Sequence, residues 1–218
     1  MGSPGMNKSK AKIPITRRER FVRSVYASMD RAIAEKLNRL RAEEDILPSC
    51  AAGCGHCCRY YILTNMAEAH TLVQYIRREW KKEQINKLRS RTEQWHAWDR
   101  SQSAGRLSAV NEKQVDLSGY EDGCPLLVHG NCDAYPVRPA VCRSHFISDS
   151  PLSCQAANHP GTTASAPLVL ASIVAAADPF RDIIRAHVEK AGCDFDRTRM
   201  LLPHWLAIGM GWDFGLSR

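Results

Sequence analysis

The sequence predicts an all-α protein: a helical domain in which two irregular cysteine-rich loops form a metal or cluster site. Three observations predict it. Apolar residues recur every three or four positions over long segments, the period of an amphipathic helix. No segment sustains the every-second-residue alternation of a half-buried strand, and no strand-helix rhythm of a parallel sheet is present. Seven of the nine cysteines fall in two turn-rich stretches, residues 50–58 and 124–142. A chain of 218 residues is long enough to bury one substantial core, so disulfides are not needed to hold it together.

Met1-Gly2-Ser3-Pro4-Gly5 before Met6 reads as a tag remnant, and residues 1–16 as that remnant followed by a basic disordered arm. Residues 17–218 then form a single helical metal-binding domain with a cysteine-cluster core at about 47–147. Phe21, Val25, Met29, Ile33, Leu37 and Leu40 predict a helix over about 17–45, closed by Pro48. Residues 49–58 read as a loop whose glycines let the backbone wrap a small ligand. Asn65 with Glu68 three positions on resembles a capping box. The helix it starts carries Met66, Leu72, Val73, Ile76 and Trp80, and continues to about 101 with Trp95 and Trp98 as packing residues.

Residues 102–123 lose periodicity and read as a connector. Residues 124–163, with Pro125, Pro136, Pro139, Pro151 and Pro160, should be irregular or built from short turns. The stretch 166–177 is apolar and Ala-rich. Asp178-Pro179 then supplies an N-cap and first-turn proline for a helix ending near Gly192, and a last short helix spans 197–209.

The net charge of +7 is concentrated in the first 41 residues, which hold eleven Lys and Arg against three acids. That segment suits a solvated helix face, and as an interaction surface it would attract an anionic membrane surface or an acidic protein partner. Nucleic acid is disfavoured, because no aromatic or glycine interleaving accompanies the basic residues. The longest largely apolar run, Leu168 to Ala177, is half a membrane span, and no secretory signal pattern opens the chain. A cytoplasmic location is therefore expected, where thiols stay reduced and a cysteine-rich pattern points to metal or redox chemistry.

Cysteines two or three apart in a glycine-containing loop can point inward at one centre, and Cys54 and Cys57 make such a pair. A bound cation favours the thiolate form that ligation requires. Adjacent side chains usually diverge, so Cys57 and Cys58 are not expected to be simple ligands of one metal; two metals, or a structural or redox role for one thiol, would explain them.

Cys50, Cys54, Cys57 and Cys58, then Cys124-Pro125-Leu126-Leu127, then Cys132-Asp133-Ala134-Tyr135-Pro136-Val137-Arg138-Pro139-Ala140-Val141-Cys142-Arg143 together resemble the YkgJ-like cysteine-cluster family, described as zinc- or iron-chelating. The resemblance covers roughly residues 47–147. It implies a bacterial metal or iron-sulfur domain, related to one in flagellin lysine methylases, with Cys50, Cys54, Cys57, Cys58, Cys124, Cys132 and Cys142 as ligands. The family's usual aromatic two residues after the Cys-Arg arginine is replaced by His145, which admits His145 as an eighth ligand.

Cys154 lies outside the pattern and is a further candidate ligand; Cys193 reads as a helix-end packing residue. His56 and His129 are placed to ligate, though a lone loop histidine is more often a hydrogen-bond donor. Arg138 and Arg143 flank the thiols and are expected to offset their negative charge and donate hydrogen bonds to sulfur. Tyr135 reads as a space-filling residue.

Seven or eight ligands would make two zinc sites, or one closed and one open. A 4Fe-4S cluster would use four thiolates, and Cys124-Pro125 echoes the Cys-Pro ending of ferredoxin runs, which favours iron-sulfur slightly. Cys50, Cys54 and Cys57 also have the spacing of radical S-adenosylmethionine enzymes, but no barrel pattern accompanies them. The expected function is redox or group transfer, including modification of a protein, by an oxidoreductase or transferase. The alternatives are a structural zinc module presenting its basic helix to a partner, and a metal storage or chaperone protein. No Ser-His-Asp arrangement, phosphate loop or catalytic carboxylate pair can be argued from the chain.

Overall fold

The first helix is where the sequence places it. In the computed structural model, which describes residues 13–51, 53–59, 62–102, 120, 122–157 and 167–215, α1 runs Arg17–Glu44. The Thr16 hydroxyl caps it by accepting from the Glu19 amide, and Asp45 ends it in the left-handed conformation. The expected tag remnant and most of the arm, residues 1–12, lie outside the described residues, as does most of the connector, 103–119.

The single helix expected over 65–101 is two helices. α2 (Met66–Glu79) is capped by the Asn65 side chain, which accepts from the amides of Ala67 and Glu68. Trp80 is extended (φ −88°, ψ 145°), and α3 (Lys82–Gln102) starts a new axis. The Lys81 amide donates to the Gln84 side chain at 2.9 Å, a local cap that serves the restart. The break turns Trp80 and α3 onto the same core as α2.

The proline-rich stretch resolves into short pieces: β2 (Leu127–Val128) paired with β3 (Asn131–Cys132), a 3₁₀ turn at Tyr135–Val137, α4 (Ala140–Ser144) and α5 (Pro151–Ala157). Asp178-Pro179 does not begin a helix. Both residues lie inside α6 (Ala171–Lys190), whose buried face of Ile173, Ala177, Ile184 and Val188 runs straight through the proline. One interior N–H is lost there, but the apolar stripe holds the helix on α1 regardless. The last helix starts later than expected, as α7 (Leu202–Met210), because residues Met200–Leu201 form β4 and pair antiparallel with β1 (Leu63–Thr64).

The described residues are mostly helical, with only these two-residue strands and no barrel. Two cores form. One packs Val22, Val25, Tyr26, Met29 and Ile33 of α1 against α6. The other joins α2, α3 and α7 through Leu72, Ile76, Leu88, Leu202 and Leu206. Each such buried aliphatic side chain contributes about 1.5–3 kcal/mol. α2 packs on both α1 and α7, and the segment 126–147 reaches both cores, with Leu126, Ala134 and Val137 in the second and Ala140 in the first. The cysteine loops therefore sit on a rigid double floor. No helix among the described residues is long and apolar enough to cross a membrane.

Candidate metal centre

The first cysteine loop is tied at both ends. The Ser49 amide donates to the Ile147 carbonyl at 3.0 Å and its hydroxyl to the Asp149 carbonyl, while the Cys58 carbonyl accepts from the Cys124 amide at 2.8 Å. Between these ties, a 3₁₀ turn at His56–Arg59 presents Cys57 and Cys58.

The second loop folds back as a hairpin whose two-residue turn, His129-Gly130, has positive φ at both positions (48° and 79°), as a tight hairpin turn requires. A Cβ on Gly130 would stand 2.7 Å from the Gly53 carbonyl oxygen, so the absence of a side chain there is what lets the two loops touch.

A buried carboxylate anchors the third piece. Glu68 is capping-box-like in sequence, but its oxygens serve a wider network. One accepts from the Tyr26 hydroxyl (2.8 Å) and the Ala140 amide (2.7 Å), the other from the Asn65 amide group (2.6 Å) and the Thr64 hydroxyl (3.3 Å). One side chain thus joins α1, α2 and the start of α4, which carries Cys142. Arg143 completes the clamp from the other side. It donates to Asp30 (2.5 Å) and to the carbonyls of Pro136 (2.6 Å) and Arg138 (2.9 Å), and its guanidinium lies 4.0 Å over the Tyr26 ring.

These ties enclose one cavity of about 730 Å³, lined by Cys50, Cys54, Cys57, Cys58, Cys124, Cys132, Cys142 and Cys154. All seven cysteines of the three sequence blocks face it, and Cys154 of α5 is an eighth, brought there because α5 packs on the 3₁₀ turn of the first loop. His145 and Arg138 also line it; His56, His129 and Arg143 do not. Cys193 sits past the end of α6, packed on the first core.

The thiols ring a volume rather than meet at a point: among the described residues no three His, Cys, Asp or Glu side chains are already grouped to hold one ion. The remaining wall is largely apolar, with Ile62, Leu126, Leu127, Val141, Phe146 and Leu202.

Cys57 and Cys58 both line the cavity. The neighbouring Cys58 thiol, the local backbone amide and the charge of Arg138 bring the Cys57 thiol down to about 7 against the opposing effect of burial, and the Cys57 thiol with burial pushes Cys58 up. Burial, reinforced by neighbouring cysteines, raises Cys142, and raises Cys124 to about 12. Burial likewise raises Cys50 and Cys132.

Burial thus disfavours the thiolate form at Cys50, Cys124, Cys132 and Cys142, a cost that a bound cation offsets. Burial lowers the pKa of His145, which keeps the ring neutral, the form that can ligate. Its Nε2 atom is buried and makes no hydrogen bond, although the ring is not isolated from its surroundings. Soft sulfur donors with an imidazole are the set that suits zinc, copper(I) or iron-sulfur chemistry, so the residues fit a thiophilic centre.

Two parts of this arrangement were hidden from sequence reasoning. Glu68 was legible as a cap but not as the tie between Tyr26 and Ala140, since its partners lie 42 and 72 residues away. Tyr26 carried no signal beyond an apolar helix face.

No curated protein and no solved structure gives a significant match to the chain. The CxxCxxCC family, described as "Putative zinc- or iron-chelating domain", matches residues 49–160, from the first cysteine loop through α5. With half of its length matched, and with all eight cysteines of that span on one cavity wall, the chain belongs to this zinc- or iron-chelating family.

Proposed function

We propose that the cavity holds an iron-sulfur cluster, in preference to zinc, and that the centre performs redox or group-transfer chemistry in the cytoplasm. The ligands would come from Cys50, Cys54, Cys57, Cys58, Cys124, Cys132 and Cys142, with Cys154 and His145 as additional donors. One observation carries the reading: eight thiols share the wall of one cavity of about 730 Å³. A single tetrahedral ion, with thiolates at about 2.3 Å, claims only on the order of 50 Å³ of it. A cluster of several irons and sulfides, also held by four thiolates, uses this space better.

When bound, such a cluster supplies one-electron chemistry, or an open iron position for a substrate. The chain's own contribution is to hold the thiols apart on tied loops, to place the positive charge of Arg138 beside Cys57 and Cys132, and to exclude water behind Ile62, Leu126 and Leu202. Arg138 offsets thiolate charge at the cavity wall. Arg143 acts from behind the wall, through the Arg138 and Pro136 carbonyls it holds.

Anaerobic reconstitution with iron and sulfide tests the ligand set. Cys54→Ser and Cys142→Ser should each lose most of the bound iron and lower the melting temperature, because metal binding and folding are coupled. Cys193→Ser should match the wild type; equal loss in that variant would refute the assignment.

A further inference from the structure

The cavity is larger than the centre proposed for it, and its surplus is shaped. A four-iron cluster occupies at most a few times the roughly 50 Å³ of one thiolate-bound ion, which leaves most of the 730 Å³ over. The whole cavity lies within the size range of pockets that take small organic ligands.

Its walls are not uniform. Tyr135 and Val141 are 58% and 40% exposed although both line the cavity, so the rim presents apolar surface to solvent. Leu127, also on the wall, continues that surface inward. Between them stands Arg138. Its guanidinium lies 3.6 Å from the Tyr135 ring centroid, a stacking that fixes its plane, and one N–H donates to the Tyr135 carbonyl at 3.2 Å. None of the ion pairs among the described residues involves Arg138. Arg143, five positions on, has Asp30.

From this geometry we infer that the cavity also binds a small organic anion, its anionic group on the Arg138 guanidinium and its apolar body against Tyr135, Leu127 and Val141. The inference rests on the metal-centre reading only for what fills the thiol-lined part. It identifies the substrate class that would meet the centre: a compact organic molecule with one carboxylate, sulfonate or phosphate group. A guanidinium fixed by stacking loses little freedom on meeting such a group, and its remaining N–H donors suit two oxygens at once.

The test uses the full chain, isolated without oxygen and with its metal content measured, titrated with anilinonaphthalene sulfonate, whose fluorescence reports an apolar body bound beside its sulfonate. Saturable binding of about one probe per chain is expected. Arg138→Gln should weaken it by about tenfold, the loss of a charge-assisted contact. Val141→Trp, at a half-exposed position that tolerates bulk, should block it at unchanged metal content.

Binding unaffected by both substitutions, or no saturable binding to metal-loaded protein, would overturn the inference while leaving the metal centre standing. Arg138-dependent binding by protein that holds no metal would uphold the anion site and overturn the metal-centre reading instead.

Discussion

Glu68 is the residue on which the site's scaffold turns. Its side chain is 5% exposed and accepts four hydrogen bonds from three separate parts of the chain. Removing it leaves the Tyr26 hydroxyl and the Ala140 amide buried without an acceptor, each a penalty of about 1–3 kcal/mol. Glu68→Ala should therefore destabilise the protein by at least about 2 kcal/mol in urea unfolding and loosen the helix that carries Cys142. Glu68→Gln, which keeps the shape, should lose less. The sequence made Asn65 and Glu68 legible as a helix start because that signal is local. What it withheld is that Glu68 spends none of its capacity on the Asn65 backbone amide, since a deeper partner on α1 outcompetes it. The cysteines were legible for a different reason: the family resemblance carried by their three blocks implied seven of them as ligands, all seven line one cavity, and Cys154, outside the pattern, joins them through the packing of α5.

At the scale of elements, the differences between expectation and structure have one cause: tertiary packing overrode local signals. The break at Trp80 has no glycine or proline to announce it, and the proline at 179 announces a helix start that the α1 interface ignores. β4 is only two residues long and exists because Met200 and Leu201 meet Thr64 and Leu63. The contact between the cysteine loops depends on Gly130. Gly130→Ala meets the Gly53 carbonyl and a strained φ of 79°, so it should cost about 1–2 kcal/mol and reduce metal retained after gel filtration.

The α3–α7 interface makes a separate prediction about pH. His96, hydrogen-bonded to the Pro203 carbonyl, is buried and His204 is mostly so, with ring centroids 4.9 Å apart. Burial holds both at about 4, well below the ordinary value, with His204 opposing charge on His96. Asp99 lies 3.8 Å from His204, near enough to favour its protonation, yet burial outweighs it. Neutral in the folded state and protonated in the unfolded one below about 6.5, the pair stabilises the fold fully above that pH. Its contribution is lost as pH falls toward 4, a decline of at least about 3 kcal/mol. Urea midpoints measured from pH 7 to pH 4 should fall accordingly, and less steeply in His204→Phe.

For the whole molecule, the site lies where two helical cores meet, spanned by a segment that belongs to both. That placement gives a centre on short irregular pieces the rigidity of the helices beneath, and it leaves one side of the cavity open to solvent at Tyr135 and Val141. The all-α architecture was legible from periodicity, and the cavity was not, because nothing local to a cysteine loop encodes the volume it encloses. The central claim is that this volume holds an iron-sulfur cluster. Its most direct test is anaerobic purification followed by an absorption spectrum and elemental analysis. The account predicts brown protein with a broad band near about 400 nm and about four irons and four sulfides per chain. Colourless protein carrying about two zinc ions and no iron would contradict it.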